Sequence, residues 1–220
     1  MKKVILKKEV REKLGEELFK KAQSNKRKVD VYTFLYNSNG NKVKGFLVKP
    51  KKINSKLPCI IWNRGGSRDF SPITPGLLHI RMADLVQQGY VVIASQYSGG
   101  PGSEGVDDWG GDNIADVLNL KKIINKLDYI DTKRIGMYGW SRGGMMTYRA
   151  LSKVKWIKAA VVGAAPADEV SAPKFRKGWR KHQISLYGKR KSEQIRRSVL
   201  YWTDKLAKKT PILIMHGTAD

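Results

Sequence analysis

The stretch Gly139-Trp140-Ser141-Arg142-Gly143-Gly144 stands between two segments of different character. Ile135-Gly136-Met137-Tyr138 before it reads as a short buried strand, and Met145 to Leu151 after it reads as a helix. A serine on such a strand–helix turn is forced into a strained backbone conformation, which pushes its hydroxyl out at the top of a sheet. Gly139 and Gly143 are needed because the two backbones approach too closely for a Cβ. The helix that follows aims its N-terminal amides at the oxyanion formed when Ser141 attacks a carbonyl. A Gly-x-Ser-x-Gly match is weak alone, but the strand, the helix and the extra Gly144 strengthen it. The competing reading is a tight turn whose Ser merely caps the helix.

Working outward, strands and helices alternate. Residues 3–24 read as a charged amphipathic helix with Val10, Leu14, Leu18 and Phe19 near one face. Val29 to Tyr36 and Lys42 to Val48 flank Asn37-Ser38-Asn39-Gly40-Asn41 and predict a hairpin. Leu57 to Trp62 and Tyr90 to Ala94 are buried strands, separated by a helix from Pro75 to Gln88 that stops at Gly89. After a Gly-rich loop, Asp112 is expected to cap a helix carrying Ile114, Val117, Leu118, Ile123, Ile124 and Leu127. Ile157 to Gly163 and Pro211 to His216 are the last two strands. Residues 167–209 between them read as irregular, basic helices covering the site. The pattern predicts an α/β fold with a mostly parallel sheet, helices on both faces and an antiparallel hairpin at its start.

Composition fits one globular domain. The chain has 220 residues, 41% of them hydrophobic, without the ~20-residue apolar run that a membrane span needs. Met1 to Lys8 has a basic start but no apolar stretch after it, so no export signal is read there. Cys59 is the sole cysteine, which excludes a disulfide framework and a thiolate metal cluster; a reducing cytoplasm is the expected compartment. No cofactor or metal is expected. The formal charge of +24 invites polyanions. The basic residues are spread from Lys2 to Lys209 without a nucleic-acid motif, so no specific nucleic-acid partner and no membrane partner is expected.

These residues together resemble the catalytic domain of the prolyl oligopeptidase family, within the α/β-hydrolase fold. The elbow has the Trp before the Ser and the doubled Gly after it that are common there. Pro211-Ile212-Leu213-Ile214-Met215-His216-Gly217-Thr218-Ala219-Asp220 resembles the strand and loop that deliver the triad aspartate. Asn63-Arg64-Gly65-Gly66 sits where that family places its oxyanion loop. The resemblance runs from Val29 to Asp220, so the reading divides the chain into an N-terminal helical extension, 1–28, and a hydrolase domain, 29–220. Two features depart from the family's pattern. Arg64-Gly65-Gly66-Ser67 replaces the more usual His-Gly-Gly-Pro or Tyr-Gly-Gly, and fewer than 30 residues precede the first strand, which leaves no room for a β-propeller.

The resemblance implies acyl transfer on a peptide or ester substrate. Ser141 is the expected nucleophile, Asp220 the residue that orients a histidine base, and the amides of Arg142, Gly65 and Gly66 the oxyanion donors. Asp168 and Asp204 are weaker candidates for the aspartate. In this fold the order is Ser, Asp, His, yet His79, His182 and His216 all precede Asp220. His79 reads as structural, His182 as a surface residue of the basic cap, and His216 as the family's non-catalytic His-Gly position. The expectation is therefore a fold lacking its last strand and helix, inactive as it stands, with a bare sheet edge open to self-association. A small-molecule esterase on the same fold and a non-catalytic basic remnant that binds polyanions are the alternative functions.

Overall fold

In the computed structural model, residues 1–6 and 10–218 are described. The sheet has eight strands in the order β1-β2-β3-β5-β4-β6-β7-β8. The strands are β1 (Lys2–Lys3), β2 (Val29–Ser38), β3 (Asn41–Pro50), β4 (Leu57–Asn63), β5 (Val91–Ser95), β6 (Ile130–Trp140), β7 (Ala159–Gly163) and β8 (Ile212–Met215). β1, β2, β3 and β5 pair antiparallel, and from β5 through β4, β6 and β7 to β8 every pairing is parallel. This is the α/β-hydrolase architecture that the strand–helix alternation predicts.

The hairpin turns on two residues, Asn39 at φ 46° and Gly40 at φ 83°. Both are left-handed, the twist that a two-residue connection needs to keep β2 and β3 in register. β5 is buried on both faces along its whole length, so its sequence is a continuous apolar run rather than an alternating one. Ile61, Ile93 and Met137 face one layer, where Ile114, Val117, Leu120 and Met146 of the covering helices meet them. Val48, Val92 and Ala94 face the other layer and pack on Leu78, Met82 and Val86.

The helices depart from the expected spans in four places. The region read as one helix over 3–24 begins with β1, which pairs with Thr33 and Tyr32, and residues 7–9 lie outside the described residues. Gly15, at φ 75°, then divides α1 (Val10–Leu14) from α2 (Glu16–Lys26), because a left-handed residue interrupts the helical ladder. Val10, Leu14 and Phe19 pack with Leu6, Ala22 and Ile80 as the periodicity implies, while Leu18 is exposed. Residues 75–87 run as α3 (Pro75–Leu77), a π-helical turn (Leu78–Met82) and α4 (Ala83–Gln87).

The helix expected from Asp112 is α5 (Ile114–Leu118) followed by α6 (Leu120–Ile124). Its N-cap is Asn113, not Asp112. The Asn113 amide oxygen accepts from the Gly110 amide, and Asp112 is drawn away into an ion pair with Arg196. After β6, α7 (Arg142–Leu151) is wholly buried. The cap over 167–209 contains α8 (Ala172–Phe175), α9 (Trp179–Tyr187), α10 (Lys191–Arg197) and two 3-10 turns. β8 is the outermost strand of the given residues, with Leu213 and Ile214 about three-fifths exposed.

Candidate active site

β4 and β6 are neighbours in the sheet although β5 lies between them in sequence, so the chain reverses direction across the sheet at this pair. Loops leaving the carboxyl ends of such strands diverge and open a crevice. Ser141 leaves β6 and Gly65 leaves β4 at that point.

Ser141 sits at φ 55°, ψ −127°, a conformation that an L-residue adopts only when its surroundings enforce it. Here the surroundings do. The Ser141 amide donates to the Gly163 carbonyl at 2.8 Å, and the Ser141 carbonyl accepts from the Gly144 amide at 2.8 Å. A Cβ on Gly143 would strike the Asn63 carbonyl, and one on Gly139 would strike the Gly143 carbonyl. Asn63 in turn donates to Thr147 Oγ1 at 2.9 Å, and Thr147 Oγ1 donates to the Gly143 carbonyl at 2.9 Å. The end of β4, the turn and the first part of α7 are thus interlocked through backbone contacts and the Asn63–Thr147 side chains.

The Gly65–Gly66 loop reaches the same point. A Cβ placed on Gly65 would lie 3.2 Å from the Trp140 carbonyl oxygen and 3.6 Å from Ser141 Cβ. Gly66 is left-handed at φ 67° and leaves no room for a Cβ against the Phe70 backbone. The Arg142 amide is in the first turn of α7, where amides have no intrahelical acceptor. Ser141, Arg142, Gly65 and Gly66 are therefore brought together.

The sequence reading assigned only a backbone role to Arg142. Its side chain is fully buried and forms a two-pronged ion pair with Asp107, both contacts at 2.6 Å, while Nη1 also donates to the Gly66 carbonyl at 2.9 Å. Asp107 further accepts from the amides of Arg68 and Trp109. The guanidinium lies 4.8 Å from the Tyr97 ring centre and 5.0 Å from that of Trp109. Burial by itself would raise the Asp107 carboxyl, but the charge and hydrogen bonds of Arg142 and the two amides outweigh it and hold the group below its ordinary value. Buried Arg64 supports the same loop by donating to the carbonyls of Arg68 and Ser71. The Gly-rich segment carries Asp107, Asp108 and Asp112, and nothing in their spacing singles out Asp107 as the partner of an Arg 35 residues later.

A pocket of about 250 Å³ opens over Ser141 between Gly66, Ser67 and Phe70 on one side and Pro166, Trp179 and His182 on the other. Here the expectation of a surface His182 is corrected. Its ring lies 4.9 Å from Trp179 and 5.7 Å from Trp109, because α9 folds over the elbow and turns this residue inward. Burial lowers the His182 pKa; Glu169 opposes that shift, and Arg176 and Arg68 add to it. Glu169 is wholly buried beneath this wall. Its Oε2 accepts from Trp179 Nε1, Gln183 Nε2 and Tyr187 Oη at 2.9–3.0 Å.

The comparisons with known proteins agree with this fold. The sequence profile of the prolyl oligopeptidase family matches residues 78–220. The chain belongs to this family of serine peptidases. It is 27% identical over 197 residues to YtmA, an uncharacterized peptidase of Bacillus subtilis, covering 87% of this chain and 74% of that protein. The uncomplexed acylaminoacyl peptidase of Pyrococcus horikoshii superposes with a TM-score of 0.72 at 20% identity, over 86% of this chain and 32% of that one. An esterase, rPPE, superposes with a TM-score of 0.67 at 18% identity, over 90% of this chain and 68% of that one. The chain thus spans about a third of the archaeal peptidase and about three-quarters of YtmA.

Within this prolyl oligopeptidase family member, the other sequence candidates lie as follows. His79 is buried with Nδ1 2.8 Å from the Pro75 carbonyl oxygen, a structural contact within its own helix. Asp168 caps a turn by accepting from the amides of Val170 and Ser171. Asp204 lies on an exposed 3-10 turn before β8, and His216 directly follows β8. Asp220, the expected triad aspartate, lies outside the described residues. The Cys59 thiol is buried and pushed up to about 12 by burial, against the pull of Lys121, so it is no nucleophile at neutral pH. Among the described residues no helix is long and apolar enough to cross a membrane.

Proposed function

We propose that Ser141 is the nucleophile of a peptide-cleaving acyl transfer. The observation that carries the proposal is the left-handed Ser141 at the end of β6 with Gly65 against its Cβ. In this reading Ser141 Oγ adds to the peptide carbonyl carbon and its proton passes to a histidine. The amides of Arg142 and of Gly65 or Gly66 stabilise the oxyanion, each donor worth ~3–4 kcal/mol. The carbonyl re-forms as the C–N bond breaks, the leaving amine takes the proton, and water then hydrolyses the acyl-enzyme. Asp220 orients the histidine. With the fold's order of Ser, Asp, His, this reading looks for the base after Asp220 and gives the role to none of His79, His182 and His216. On this reading residues 1–220 alone do not turn over substrate.

The test is a fluorophosphonate probe with peptide mapping, on the 220-residue chain and on one extended by a family-type segment carrying the histidine. Labelling of Ser141 only in the extended chain, and none after Ser141→Ala, is the expected result. Labelling at another serine overturns the assignment. Equal labelling and turnover by both chains, lost in His182→Ala, would give His182 the base role, for which its place in the Ser141 pocket is the supporting observation.

An ester substrate is the second reading, supported by the small pocket and by the superposition on an esterase. Turnover of a peptide against a short-chain nitrophenyl ester separates the two. The proposed division keeps residues 1–28 as an extension, with α2 joined to the hydrolase domain by the Asn25 amide on the His79 carbonyl. The proposed compartment is the cytoplasm, on the strength of a single, buried cysteine.

A further inference from the structure

A second cavity, of about 620 Å³, opens at the other end of the sheet from Ser141. Ile157 and Lys158 lead into β7 and Thr210 leads into β8, so this cavity faces the amino ends of two strands that run parallel to β6, whose carboxyl end bears the elbow. Its floor is apolar, formed by Leu151 at the end of α7, Val154, Ile157 and Leu206. Its rim carries Lys153, Lys155, Lys158, Lys205, Lys208 and Lys209, all exposed, and among the described residues Asp204 is the only acid lining it.

Six of its 14 lining residues are basic, against 43 of 220 in the whole chain, so charge is concentrated here about twofold. Among the described residues none of the six lysines is in an ion pair, whereas Lys3, Lys20, Lys21 and Lys49 elsewhere are. Ammonium groups gathered around one concavity repel one another, and an anion among them removes that cost. The field extends behind the rim: the Lys153 ammonium is pushed below its ordinary value by burial and then by Arg149 and Arg196.

We propose that this cavity binds a compact oligophosphate, at a site separate from Ser141. Its volume falls within the ~300–1,000 Å³ of small-molecule sites. Lysines serve as mobile point charges for phosphate oxygens. The apolar floor accepts an organic body attached to the phosphates. Two sources share this chemistry, inorganic polyphosphate and nucleoside polyphosphates.

The test is calorimetric titration of the 220-residue chain at 150 mM salt with tripolyphosphate and, separately, with ATP. The expected result is saturable one-site binding that weakens at least tenfold in Lys155→Glu/Lys208→Glu. It should persist in Lys13→Glu/Lys122→Glu, which changes the charge equally at exposed positions on α1 and α6. Persistence in Ser141→Ala is also expected. Thermal midpoints confirm folding, and Lys155→Gln/Lys208→Gln replaces the glutamate pair if that variant does not fold. ATP binding tighter than tripolyphosphate assigns the floor to a nucleoside, and the reverse order assigns the site to the inorganic chain. Absence of saturable binding, equal weakening by both charge-reversed pairs, or loss in Ser141→Ala overturns the proposal.

Discussion

On one side of the Ser141 pocket, the turn and the Gly65–Gly66 loop are positioned by backbone against backbone, with the buried Arg142–Asp107 pair behind them. On the other side, Trp179 and His182 stand on α9, whose hold on the elbow runs through side chains that converge on Glu169. The first wall is made of short-range steric necessity and one dry ion pair. The second is an arrangement of hydrogen bonds and rings with partial access to water. The difference teaches how one pocket is held in two ways: by backbone contact and a buried ion pair beside Ser141, and by side-chain hydrogen bonds and ring contacts on the α9 side.

The largest effect is expected at the ion pair. Asp107→Ala leaves a buried guanidinium without its carboxylate and should cost about 3–5 kcal/mol in urea unfolding. A loss below about 1 kcal/mol would mean that the first wall does not depend on the pair. Next comes Glu169→Ala, which strips the acceptor from Trp179, Gln183 and Tyr187. Trp179 and Tyr187 are only half-buried and Gln183 keeps the backbone carbonyl of residue 169 as acceptor, so the net loss should be about 1–3 kcal/mol. Hydrogen exchange should rise over residues 169–198 and stay unchanged over 139–151. Equal loosening of both regions would erase the distinction between the walls.

Gly143→Ala forces a methyl against the Asn63 carbonyl and should cost about 1–3 kcal/mol by the same unfolding measurement. A neutral outcome there would show that β4 and α7 are free to separate.

The smallest effects are in pH. The folded Asp107 carboxyl is held below its ordinary value of 3.8, so its stabilisation is present above about pH 4 and is lost as pH falls through the folded value. His182 is shifted below 6.5, which favours the neutral ring in the folded state. Its contribution is therefore complete above about pH 6.5 and declines on acidification below it. Unfolding midpoints at pH 5 and pH 7 should differ less in His182→Gln than in the parent chain, and identical differences would remove His182 from the second wall.

Much of the first wall was legible in the sequence. A Gly-x-Ser-x-Gly between a strand and a helix has few conformations open to it, and Gly65-Gly66 after an apolar run marks a close backbone approach. Element boundaries are less legible where one residue tips the balance, as at Gly15 and Asn113. The second wall was hardly legible. Residues 167–209 have no strong period, and nothing local in Lys181-His182-Gln183 says that the ring lines a pocket shared with a serine 41 positions earlier.

The sequence by itself determined the order of strands and helices, the elbow and the loop that meets it, because these follow from periodicity and from the absence of a Cβ at named positions. Tertiary structure alone decided that Arg142 would pair with Asp107, that His182 would line the pocket over Ser141, and that six lysines of two segments would ring one cavity. Backbone sterics act within a few residues and leave a local pattern. Pairing of charges and rings across 35 or more residues is settled only when packing brings two loops into the same dry space.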